Sequence, residues 1–65
     1  MNKQTNTQLK LLRVDEVAEI LQTTPRTVRQ YISHNQLNAY RLPNNGGYRV
    51  HRSDLDHFLD GLKIG

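Results

Sequence analysis

In the stretch LLRVDEVAEILQ the apolar residues Val14, Val17, Ala18 and Leu21 recur at i, i+3, i+4 and i+7, the stripe of an amphipathic helix. Leu12 is placed to cover its start. Asp15 and Glu16 fall in the first turn, where negative charge meets the positive end of the helix dipole, but Arg13 is a poor residue for the cap before it. The pattern breaks at Gln22-Thr23-Thr24 and restarts at Thr24-Pro25, a capping threonine followed by proline at the first helical position. The second helix is expected to reach about His34 and to stop near Asn35, a residue that tolerates the left-handed conformation. Two short helices joined by a tight turn make a helix-turn-helix candidate.

Beyond Leu37 the period shortens. NAYRL and GYRVH read as strands separated by Pro43-Asn44-Asn45-Gly46-Gly47, and Asn45-Gly46 is expected to supply the positive φ angles of a tight hairpin turn. Ser53 then opens a third helix, with Asp56 standing in for a capping-box glutamate and with Leu55, Phe58, Leu59 and Leu62 on one face. The predicted fold is a small α+β winged helix-turn-helix: three helices, with a two-stranded β-hairpin wing between the second and third. The three stripes, with Leu37, Ala39 and Val50, form its single core. The domain is expected over residues 11–62, between a flexible tail at 1–10 and a short tail at 63–65. Met1 to Gln8 is polar and has no apolar run, which argues against a signal peptide or membrane segment there.

A chain of 65 residues buries only about 60% of the surface it exposes when unfolded, which disfavours a deep catalytic cavity. Without cysteine there is neither a disulfide nor a thiolate zinc site, and the compartment stays open, although a cytoplasmic protein would show this usage. The net charge of +3 matters less than its distribution. From Gln22 to Ser53 there is no acidic residue, while Arg26, Arg29, Arg41, Arg49 and Arg52 all lie in that window. A solvated surface usually mixes the two signs, so the block points to a face for a polyanion.

Winding the second helix at 100° per residue gathers Val28, Tyr31 and Ile32 into one arc of about 100° that can bury. The opposite arc centres on Arg26, Gln30 and Ser33, with Arg29 on one flank and Thr27 and His34 on the other. Arginine matches the paired acceptors of guanine or a phosphate, and glutamine can pair with adenine. Thr23, Thr24 and the free N–H groups of the first turn suit a phosphate. A helix kept soluble by arginines would look the same in isolation; the bracing helix before it favours a groove-entering element. Asn44, Asn45 and Gly46 at the hairpin tip, with Arg41, Arg49 and His51 along its strands, form a second candidate contact, although Asn-Gly is first of all a turn signal. Tyr40 and Tyr48 suit cross-strand or core-edge packing better than base stacking.

His34, His51 and His57 follow no ligand spacing, so neither a metal nor any other cofactor is expected. No oxyanion loop accompanies Ser33-His34 or Ser53 and His57, so an enzyme is not expected.

VDEVAEIL, RTVRQYI, LNAYRL and YRVHRSDLDHFL together resemble the excisionase branch of the MerR-like winged helix-turn-helix DNA-binding domains, over Leu11 to Leu59. The resemblance implies double-stranded DNA as ligand, the second helix as recognition helix with Arg26, Thr27, Arg29 and Gln30 facing DNA, and a wing carrying Arg49. Two features depart from the family: Arg13 replaces a capping serine or threonine, and the wing loop PNNGG is longer than the usual glycine turn. MerR-type activators continue into a dimerisation helix and an effector domain that these 65 residues do not contain. The resemblance therefore implies a small excisionase, or recombination directionality factor, that bends DNA at attachment sites and directs a tyrosine or serine integrase to excision. Cooperative self-association on adjacent sites belongs to the same expectation. A small transcriptional regulator is the alternative, and a protein-interaction adaptor with an acidic partner is a third reading.

Overall fold

The computed structural model describes residues 11–64. The expected tail at 1–10 and Gly65 lie outside the described residues. The elements are β1 (Leu11–Arg13), α1 (Val14–Leu21), α2 (Pro25–Ser33), β2 (Tyr40–Leu42), β3 (Gly47–His51) and α3 (Arg52–Leu62). The architecture is the expected small α+β winged helix-turn-helix, with one addition. The hairpin β2–β3 is joined by β1, so the sheet has three antiparallel strands in the order β1-β3-β2.

β1 exists because of its partner. Leu12 lies opposite Val50 in the ladder, and both are buried on one face. Leu11 and Arg13 alternate onto the other face and stay exposed. The chain passes from β1 into α1 without a loop, which makes Arg13 the cap. An arginine side chain has no acceptor to offer, so the turn is closed from the other side: the Arg13 main-chain N–H donates to Glu16 Oε1 at 2.7 Å.

α1 buries Val14, Val17 and Ala18 and ends in a left-handed residue, Gln22 at φ 57°. There the Gln22 N–H bonds the Glu19 carbonyl at 3.1 Å and the Thr23 N–H bonds the Ala18 carbonyl at 2.9 Å, a Schellman closure. α2 opens as expected, with Thr24 Oγ1 accepting the Thr27 N–H at 3.2 Å and Pro25 in the first turn. It closes through Asn35 at φ 61°, with the Gln36 N–H returning to the Tyr31 carbonyl at 2.9 Å.

Leu12, Val14, Val17, Ala18, Val28, Leu37, Val50 and Leu55 form the core, and Leu21, Tyr31, Ile32, Ala39, Tyr48 and Phe58 pack around it. Two expectations about α3 are corrected. Its cap is His51, not Ser53: the strand runs straight into the helix, so the last extended residue takes the cap position and its Nδ1 accepts the Ser53 N–H at 3.0 Å. Its apolar face is also only half used. Leu55 is buried and Phe58 packs on Tyr31 with ring centroids 5.2 Å apart, but Leu59 and Leu62 are exposed because the helix outlasts the core beneath it.

Candidate nucleic-acid interface

α2 is held by Val28 (0% exposed), with Tyr31 and Ile32 half-buried, which turns Arg26, Arg29, Gln30, Ser33 and His34 to solvent. The arc deduced from the helical period is exposed except at its Thr27 flank, which is half-buried, and it carries no carboxylate. Several of its polar groups already have local partners. Thr24 Oγ1 donates to Thr27 Oγ1 at 3.0 Å while capping the helix, so the Thr27 hydroxyl keeps its own proton to donate. The Ser33 hydroxyl donates to the Gln30 carbonyl at 3.2 Å. The supply of free first-turn N–H groups is smaller than expected. Pro25 has none and Thr27 gives its N–H to the cap, while the Thr23 N–H serves α1, which leaves those of Thr24 and Arg26.

The hairpin turn also differs from the expectation. The four residues Pro43 to Gly46 form the turn, closed by the Gly46 N–H to the Pro43 carbonyl at 3.1 Å, and its two central residues are Asn44 at φ 58° and Asn45 at φ 63°. Asn-Asn thus occupies the positive-φ pair of a tight hairpin turn, and Gly47 at φ 83° follows it. Gly46 does not have positive φ; it is needed because a Cβ there would lie 2.8 Å from Leu42 Cβ.

Strand alternation separates the wing's polar residues. Arg41 lies opposite Tyr48, and with Asn44 and Asn45 it lines a groove of about 590 Å³ at the wing tip. Arg49 lies opposite Tyr40 on one side and Arg13 on the other, on the opposite face from Arg41. Its Nη1 donates to the Tyr48 carbonyl at 2.9 Å and to the Gly46 carbonyl at 3.2 Å, bracing the turn. His51 has its Nδ1 engaged as the cap of α3, leaving Nε2 as its outward donor.

Where β1 leaves the sheet at Arg13, a cleft of about 440 Å³ opens between β3 and the start of α2. It is lined by Arg13, Asp15, Pro25, Arg29, Tyr48 and Arg49, along with Val14 and Gly47. Arg29 and Arg49, distant in sequence, both line this cleft. Arg13 joins them, although its only visible signal in the sequence was its unsuitability as a cap. Arg52, in the acid-free window, is drawn off by Asp56 at 3.4 Å. Among the described residues Arg26, Arg29, Arg41 and Arg49 have no carboxylate partner.

A two-helix unit braced by a core, with a donor-bearing second helix and a β-hairpin beside it, defines a winged helix-turn-helix DNA-binding protein. The chain matches the family model described as "Helix-turn-helix domain" over residues 11–63 and belongs to that family. No curated protein and no solved structure matches it. Among the described residues no helix is long and apolar enough to cross a membrane.

Proposed function

We propose that this DNA-binding protein is an excisionase, which places α2 in the major groove of double-stranded DNA and its wing along the flanking backbone. The observation that carries the DNA contact is the exposed arc of α2, where Arg26, Gln30 and Arg29 stand free of any carboxylate beside a wing that supplies Arg49. In this reading Arg26 and Gln30 address base edges. Thr23, Thr24, Thr27, Ser33 and His34 contact the backbone at the two ends of the helix, while Asn44, Asn45, Gly46, Arg41 and His51 contribute from the wing.

The excisionase assignment is supported by the resemblance of the two helices and the wing flanks to that branch. One module of this kind makes a small interface, so useful affinity calls for several copies on adjacent sites or for a partner protein. The partner is an integrase, and the protein acts by binding and bending DNA rather than by chemistry of its own.

The test combines the purified protein with its cognate integrase and attachment-site DNA. Excision that depends on the protein is expected, and excision that proceeds equally well without it refutes the assignment. A transcriptional regulator with the same contacts would instead change transcription and leave excision intact.

A further inference from the structure

Arg13 and Arg49 are direct neighbours across the β1–β3 ladder. Residues so placed have Cβ atoms about 4.5–5.5 Å apart, and like charges there are destabilising. The fold does little to neutralise the pair. Asp15 Oδ1 approaches Arg13 Nε at 3.6 Å, longer than a good hydrogen bond, with both side chains about two-thirds exposed at 65% and 68%. Arg49 gives one nitrogen to the turn carbonyls. Arg29, exposed on α2, lines the same cleft, and Pro25 brings the positive end of that helix to its edge.

The Arg13 side chain also has no structural duty, because the cap it occupies is made by its main-chain N–H. Three forked cations around one open cleft, two of them held together against their repulsion, suit a phosphate group.

We infer that Arg13 is a phosphate-contacting residue that completes, with Arg29 and Arg49, a clamp on the DNA backbone between α2 and the wing, and that Asp15 restrains it by competing with the phosphate. This inference rests on the duplex-DNA reading above. When DNA enters, Arg13 exchanges its loose contact with Asp15 for a phosphate oxygen, and the cross-strand repulsion with Arg49 is relieved by the shared anion.

The experiment is a salt series of fluorescence-anisotropy titrations on a random-sequence duplex, using the full chain and the variants Arg13→Gln, Arg13→Lys, Asp15→Asn and the double Arg13→Gln/Asp15→Asn. Arg13→Gln should weaken binding and flatten the slope of log K against log salt by about 0.9. From about 50 to 200 mM salt, its affinity would then fall roughly threefold less than that of the parent. Arg13→Lys should keep the parent slope and melting temperature, and Arg13→Gln, which removes the cross-strand repulsion, should melt no lower than the parent. Asp15→Asn should tighten binding, and by a larger factor when Arg13 is present than when it is glutamine.

A parent that binds while Arg13→Gln keeps the parent slope overturns the inference, as does an Arg13→Lys slope equal to that of Arg13→Gln. Equal gains from Asp15→Asn in both backgrounds overturn the competition. A parent that binds no duplex removes the DNA reading itself, a result distinct from any of these.

Discussion

Replacing Gly46 with alanine tests whether the wing is held by steric closeness or by glycine's freedom of φ. An added Cβ would stand 2.8 Å from Leu42 Cβ and 3.2 Å from the Pro43 carbonyl oxygen. Non-bonded carbons prefer about 3.5–4.0 Å. Leu42 Cβ is bonded to the main chain and cannot swing aside, so the turn must open. Opening strains the Gly46 N–H bond to Pro43 and the Arg49 bond to the Gly46 carbonyl, at 3.1 and 3.2 Å. Overpacking of this kind costs about 1–3 kcal/mol. At about 4–8 °C per kcal/mol for a domain of this size, a cost of about 2 kcal/mol lowers the melting temperature by about 8–16 °C. Far-UV circular dichroism melts measure it. Asn45→Gly is the control, since it relieves a φ of 63° and should cost nothing. A Gly46→Ala melting point within about 2 °C of the parent would refute the steric account, because about 1 kcal/mol is the smallest cost it allows.

Other substitutions probe separate elements. Gln22→Gly removes a non-glycine residue from φ 57° and should stabilise by about 0.5–1 kcal/mol in urea unfolding; a loss would mean that the glutamine side chain makes a contact that outweighs the strain. Leu55→Ala empties a fully buried site that anchors α3, and about 2–5 kcal/mol should be lost from a domain whose total is roughly 3–10 kcal/mol. A loss under about 1 kcal/mol would show that α3 is dispensable to the core. Arg26→Ala, at the centre of the exposed arc, should weaken binding to a site selected from random sequence by about 1–3 kcal/mol and bring it closer to binding of random DNA. Equal losses on both DNAs would make Arg26 a backbone contact.

Much of this fold was legible because its helices declare themselves locally. The 3.6-residue period of Val14, Val17 and Ala18, the Thr24-Pro25 opening and the left-handed Asn35 each need only near neighbours, and each took its expected place. What stayed hidden depends on distant partners. β1 is three residues long and becomes a strand only when Val50 lies opposite Leu12. His51 became a cap because β3 ends without a loop, which no spacing of Ser53 and Asp56 reveals. Gly46 invited a φ argument, whereas only the folded turn shows Leu42 pressing against it.

The site divides in the same way. The outward arc of α2 follows from periodicity, but the placing of Arg13 opposite Arg49, at the cleft that Arg29 also lines, follows from β1 pairing beside β3, and so could not be read before that strand was seen. Strand alternation also separates Arg41 from Arg49, which the sequence had placed together simply as wing arginines.

The outward face of α2 and the wing are proposed to engage the phosphates and base edges of duplex DNA. The most direct test of this contact is the salt dependence of binding of the parent protein to duplex DNA. With about four or five phosphates neutralised, log K should fall against log salt with a slope of roughly −4. A flat response, or no binding to duplex at low salt, would contradict it and point to an acidic protein partner for the same basic face.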